Sequence, residues 1–318
     1  MVSQTLRAGL SVTFSMVTSA LIILLNRQII RELQFPFPWV ITGWGLGVSG
    51  LLSFMLCRVG FVPVRAKGRI LTPRFFFVET LPVALCTALG MCLGNSASIT
   101  VQMSFLQILK AFTPAVTFIV SWVFGIETAS PRIFVAVAVI VGGTLLSTRE
   151  EAAKAIFDAY GTSLFLVSIL FESTRVVLIQ KLLADSKQKL HPLEGLQYTA
   201  LPTAAIMLGV SAVLELGPFR ATGAWEIVKE NPMTFAAAGG LGFLVNLGTF
   251  LALANASSLT LKAATCVRNA AIVWIGTLLG ESVVPVQTLG YAVSVGGFLL
   301  YTSARAPSAA PQEKSKTT

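Results

Sequence analysis

The sequence predicts an all-α membrane protein: ten transmembrane helices in two inverted five-helix repeats, with both termini cytosolic. Three observations predict it. The 318 residues are 54% hydrophobic and only 12% charged, with a mean hydropathy of +0.78, whereas a soluble domain carries about 25% charged residues. Ten apolar windows are long enough to cross roughly 30 Å of hydrocarbon. And the second half of the chain echoes the first at an offset of 154 residues.

The windows fall near residues 8–30, 38–57, 75–97, 101–124 and 131–148, then 158–181, 194–216, 232–254, 258–279 and 284–304. The distribution of Lys and Arg between the loops orients them. With the N-terminus cytosolic, that side holds Arg7, Arg58, Arg65, Lys67, Arg69, Arg74, Arg132, Lys181, Lys187, Lys189, Arg305, Lys314 and Lys316. The other side holds Arg31, Arg149, Lys154, Arg220 and Lys229. The excess places both ends of the chain in the cytosol. The net charge of +9 is thus scattered through short loops as a topology signal, and nucleic acid is excluded as a partner.

The repeat is carried by several matches at one offset. Glu127 and Pro131 correspond to Glu281 and Pro285, Gly142-Gly143 to Gly296-Gly297, and LLST (145–148) to LLYT (299–302). Five spans per half is an odd number, so the halves are inverted, a plan of secondary transporters with a midplane substrate site. The organisation expected is a first repeat over 1–148, a linker loop over 149–157, a second repeat over 158–304 and a disordered cytosolic tail over 305–318. Small-xxx-small spacings in GWGLG (43–47) and GMCLG (90–94) suit close helix packing, and such faces also leave a homodimer open.

The four cysteines (Cys57, Cys86, Cys92, Cys266) lie in apolar spans at irregular spacing, which indicates neither a disulfide framework nor a zinc site. His191, the single histidine, precedes Pro192 in a loop and reads as a solvated residue. No metal-ligand cluster or intramembrane histidine offers catalysis, so an enzyme is not expected, nor any cofactor. The first span begins by about residue 8, leaving no room for a transit peptide.

Ions inside a span cost roughly 2.5–3.5 kcal/mol on insertion scales and mark function. Five cations fall within spans, Arg27, Lys110, Arg175, Lys262 and Arg268, against two acids, Glu79 and Glu172. Arg27 and Glu79 lie near span ends and snorkel; Lys262 either snorkels too or faces a site. Glu172 and Arg175, three residues apart on one helix, are placed to pair. Lys110 and Arg268 sit mid-span without a partner on their own helix, and the repeat maps Lys110 to position 264, one turn from Arg268. Either Glu172 neutralises one of them, or an anion joins them. A phosphate-bearing substrate suits the second reading, with Arg offering a planar fork of donors and Lys a point charge.

Four stretches then resemble a known family: GNSASITVQMSFLQILKAFTPAV (94–116), RVVLIQKLLADSKQKLHPLEGLQYTALP (175–202), VNLGTFLALANASSLTLKAATCVRN (245–269) and VQTLGYAVSVGGFLLYTSA (286–304). In this order they are similar to the triose-phosphate translocator and nucleotide-sugar transporter branch of the drug/metabolite transporter superfamily. The resemblance implies ten helices in inverted halves and strict exchange of organic phosphates by alternating access. It also implies a phosphate clamp of a fourth-helix Lys, a sixth-helix Arg and a ninth-helix Lys-Arg pair. Lys110 and Arg175 match the first two. Arg268 stands at the Lys position and Asn269 replaces the Arg, while Val245 stands where plastid members carry a pocket tyrosine.

The expectation is an antiporter trading a nucleotide sugar for a nucleoside monophosphate, with a phosphorylated sugar/inorganic phosphate exchanger as the alternative. A non-transporting scaffold is the reading from another class. The expected substrate-binding residues are Lys110, Arg175, Arg268, Asn269, Lys262 and Gln107. The tail KSKTT resembles a cytosolic K-x-K-x-x retrieval signal read by coat proteins through Lys314 and Lys316, which points to the endoplasmic reticulum or Golgi membrane rather than a plastid envelope.

Overall fold

Proline sets where most of the helices begin. Its missing N–H costs nothing in the first turn, and its fixed φ is already helical. Pro38, Pro131, Pro192, Pro232 and Pro285 each open a long helix. The computed structural model describes residues 2–60, 73–101, 106, 109–127, 130–149, 158–184, 190–278 and 285–305, with backbone alone at 2–5, 27, 31, 98–100, 269–278 and 305.

Among the described residues, the helices longer than ten residues are α1 (Val2–Arg31), α2 (Pro38–Arg58), α3 (Leu81–Thr100), α4 (Thr113–Val123) and α5 (Pro131–Ser147). They continue with α6 (Ala159–Ala184), α7 (Pro192–Leu214), α8 (Pro232–Asn255), α9 (Ser258–Leu278) and α10 (Pro285–Arg305). Among the described residues, six helical stretches are long and apolar enough to cross a membrane: Leu6–Ile30, Pro38–Arg58, Pro73–Ala97, Ala159–Ala184, Pro192–Leu214 and Pro232–Asn255. α4 and α5 are apolar but shorter. No strand occurs among the described residues. Arg27 and the linker beyond 149 lie outside what the structure describes in side-chain detail, as does the tail with Lys314 and Lys316.

The sequence reading of one continuous span over 101–124 needs correction. α4 starts only at Thr113, after a turn at Ala111-Phe112 in which the Phe112 N–H donates to the Leu109 carbonyl at 3.1 Å. Pro114 is the physical cause: a proline ring clashes with the carbonyl four residues earlier, here that of Lys110, and supplies no N–H for it. The helix therefore breaks just after Lys110. A gentler version occurs ahead of α3, where a π turn at Phe76–Thr80 leads into Pro82. His191 is likewise not a free loop residue. It caps α7: its Nδ1 accepts from the Leu193 N–H at 3.3 Å and its own N–H donates to Glu194 Oε2 at 2.9 Å.

The closest packing pairs are α5 with α10, α2 with α7, α3 with α6, and α1 with α8. Glycines permit it, as association in lipid needs backbones close together. Between α5 and α10 a Cβ on Gly143 would fall 2.5 Å from the Ser294 nitrogen, and one on Gly297 2.8 Å from the Ile140 nitrogen. Ser294 Oγ lies 3.0 Å from Thr144 Oγ1 and donates to the Ile140 carbonyl at 3.1 Å.

One end of the bundle is sealed by an aromatic cluster and a carboxylate. Phe35 stacks edge-on against Phe37, Phe219 and Phe235 at centroid distances of 5.0, 6.0 and 5.0 Å. Beside them Glu215, just past the end of α7 and 7% exposed, accepts from the N–H groups of Trp39 and Val40 at 3.2 and 3.0 Å and from Ser211 Oγ at 3.1 Å. A carboxylate is thereby supplied to the positive N-terminus of α2 by another helix. Glu215→Ala leaves those N–H groups buried without their acceptor, an expected cost of about 2 kcal/mol. The check is a lower Tm in detergent, with a smaller drop for Ser211→Ala.

Candidate functional site

Three segments bring their charges to one place. Lys110 stands on the break before α4, Glu172 and Arg175 on the middle of α6, and Lys262 and Arg268 on α9. α4 packs against both α6 and α9, which draws these positions together. The Lys110 charge is felt alongside those of Glu172, Lys262 and Arg268. That of Glu172 is felt alongside Lys262, Arg175 and Lys110. Both the Lys110 and the Glu172 side chains are exposed.

The ion pair here is not the Glu172–Arg175 pair that the local spacing offered, and of the two readings of Lys262 it goes with the one that turns the lysine toward the other charges. Glu172 does not bond to Arg175 on its own helix, nor does Lys262 reach out to bulk water. Lys262 Nζ and Glu172 Oε1 form a salt bridge from α9 to α6, with the lysine side chain 11% exposed and the glutamate 47%. Ninety residues separate the partners, and no local spacing rule links them. Arg175 remains within electrostatic reach of Glu172 and of Cys86 on α3. Arg268 donates from Nη1 to Ser19 Oγ on α1 at 2.6 Å. Ser19 carried no signal in the sequence, since a serine in an apolar span is ordinary.

Uncharged groups hold the frame. Ser173, next to Glu172, accepts from Thr117 Oγ1 at 3.0 Å, tying α6 to α4. Gln180 Oε1 accepts from the Ser258 N–H at 2.7 Å and so caps the start of α9 from α6. The Ser121 and Ser258 hydroxyls lie 3.1 Å apart between α4 and α9. These bonds fix the register of the helices that carry Lys110, Glu172 and Lys262. Gln107 lies outside the described residues, and so does the side chain of Asn269, whose backbone continues α9 directly after Arg268. Among the described residues there is no cluster of His, Cys, Asp or Glu able to hold a metal ion.

Residues 6–302, nearly the whole chain, match the model of the Triose-phosphate Transporter family. The chain belongs to that family. It is accordingly an integral membrane transporter and not an enzyme. Triose-phosphate transporter relatives include two probable sugar phosphate/phosphate translocators of Arabidopsis thaliana. One is 28% identical, covering 93% of this chain and 82% of its own length. The second is 27% identical over 93% and 83%. A solved crystal structure of a protein 13% identical in sequence matches with a TM-score of 0.64, covering 95% of this chain and 98% of that one. At that identity the likeness speaks for the fold alone.

Proposed function

We propose that this transporter exchanges phosphorylated organic anions by alternating access, with Lys110, Arg175, Lys262 and Arg268 holding the phosphate. The observation that carries the reading is the Lys262–Glu172 bridge with Arg175 and Lys110 within electrostatic reach of the same carboxylate, and Arg268 within reach of Lys110. Cations kept together at membrane depth need an anion, and a dianionic phosphate with several acceptor oxygens matches forked Arg and mobile Lys donors. The break after Lys110 supports the same site, because transporters bind substrate at discontinuous helices whose backbone lines a cavity.

The ten-span inverted architecture belongs to this reading. If α1–α5 correspond to α6–α10, then the packing of α1 on α8 has its mate in α6 on α3, and that of α2 on α8 in α7 on α3. The α9–α10 contact mates with α4–α5, and α2–α7 and α5–α10 are their own mates. Ser294 and Ile140, bonded across α5–α10, are themselves 154 residues apart. All this supports two halves related by a pseudo-twofold axis, with both termini cytosolic as the loop charges require.

Of the two cargo pairs open from the sequence, phosphorylated sugar against inorganic phosphate is favoured by the likeness to the sugar phosphate/phosphate translocators of Arabidopsis. Gln107 and Asn269 are assigned to the sugar part, where amides suit hydroxyls. The test is uptake into proteoliposomes preloaded with inorganic phosphate, sugar phosphates, nucleoside monophosphates or nucleotide sugars. Uptake of a sugar phosphate that needs internal phosphate is the expected result. Exchange of nucleotide sugar for nucleoside monophosphate moves the assignment to the other pair. No exchange with any phosphate, from folded protein, overturns the site.

A further inference from the structure

The Lys262–Glu172 bridge occupies the place where a cargo phosphate is to bind, and this shapes what the carrier accepts. We infer that Glu172 is a resident stand-in for the cargo: its carboxylate neutralises Lys262 in the substrate-free carrier and is displaced when a dianionic phosphate enters. The inference rests on the phosphate-exchange reading and adds a gatekeeping residue to it.

Three features lead there. First, Glu172 does not bind Lys262 in a sealed pair. Lys262 is 11% exposed but Glu172 47%, so the carboxylate has an open side and room to leave while the ammonium stays in place. A bridge serving stability alone is stabilising only when desolvation is repaid by a closed set of hydrogen bonds around both ions, and a half-open carboxylate is poorly suited to that. Second, Glu172 lies within reach of Arg175 and Lys110 as well as Lys262. It sits amid the very charges a phosphate would meet, and cannot be bypassed by an anion approaching them. Third, the bridge joins α6 to α9. These helices are also tied by Gln180 to the Ser258 N–H, so the bridge can open without separating them.

Competition of this kind selects by charge. Glu172 contributes a single negative charge, tethered and therefore at high local concentration. A monoanion gains nothing by replacing it. A dianion does, because it can satisfy Lys262 and the neighbouring cations together. Glu172 thus filters for phosphate esters over singly charged carboxylates and lowers affinity for all of them.

Inorganic phosphate is the probe, titrated into the purified full-length chain in detergent for the wild type, Glu172→Gln, Lys262→Gln and the double variant. Removing the competitor is expected to tighten phosphate binding about tenfold in Glu172→Gln, the middle of the range for coupled neighbouring residues. Lys262→Gln binds more weakly, because Glu172 is then an unneutralised anion in the site; adding Glu172→Gln to it restores about tenfold. A bridge that only stabilises the fold would give equal or weaker binding in Glu172→Gln, and that result overturns the inference. Should Glu172→Gln alone not fold, the comparison of Lys262→Gln with the double variant decides in the same way, since the double variant contains neither member of the pair. A wild type that binds neither phosphate nor any sugar phosphate removes the phosphate-exchange reading, and this inference with it.

Discussion

Arg268→Ala is expected to lower exchange by about 30-fold or more while leaving the protein folded. Truncating one member of a desolvated, hydrogen-bonded charge contact costs about 2–5 kcal/mol, and each 1.4 kcal/mol is a factor of ten. Arg268 is partly buried, and its charge stands close enough to Lys110 to repel it. Loss of a cation from such a group eases the folded protein even as it weakens the hold on an anion. Transport and stability are thus expected to separate, with exchange collapsing and Tm in detergent not falling in step. Arg268→Lys keeps the charge but not the planar fork, and is expected to recover part of the rate. The measurement is counter-exchange of phosphate in proteoliposomes beside a thermal melt of the same preparations. Exchange in Arg268→Ala within threefold of wild type would remove Arg268 from the clamp.

Gly290→Leu is expected to abolish folded, monodisperse protein. A Cβ at Gly290 would run into the backbone of Ser147 and lie 2.6 Å from the Gly143 carbonyl oxygen. Backbone atoms in the middle of a helix cannot step aside, so α5 and α10 would have to part, breaking the Ser294 contacts with Thr144 and Ile140. Overpacking of this kind costs about 3 kcal/mol or more. The doublets supply the control. Gly143 and Gly297 sit in the crossing, whereas Gly142 and Gly296 have nothing within 4 Å of a Cβ. Gly142→Ala is therefore expected to stabilise by about 0.5–1 kcal/mol through helix propensity, read as a raised Tm.

Those doublets show where sequence reasoning stopped. The pair of glycines was visible at both positions, but which of each pair carries the contact depends on helix rotation, which residue identity does not encode. Apolar windows of membrane length were legible because hydropathy is summed along the chain. The α4 break was in principle legible too, since Pro114 is plain in the sequence; the apolar run across it masked the signal. Lys110, Arg175, Lys262 and Arg268 stood out because a cation in an apolar run is costly wherever it points. The partner of Glu172 was hidden because α6 and α9 meet only in three dimensions, and the nearer Arg175 offered a local solution that the fold does not use. Ser19 and Glu215 were invisible for a related reason: each acts on a helix far away in the chain.

The Glu215 clamp also governs how the bundle is able to move. It pins the first turn of α2 to the last turn of α7, and the rings of Phe35, Phe37, Phe219 and Phe235 thicken the joint. Two rods fastened at one end separate only by fanning out from the other. α2, with 21 residues, is about 30 Å long, so a tilt of roughly 10° about that joint sweeps its free end by roughly 5 Å. The displacement shrinks to almost nothing beside Glu215. Distance labels on α2 and α7 would register such a swing near Arg58 and Leu193 and stay silent near Trp39 and Ser211.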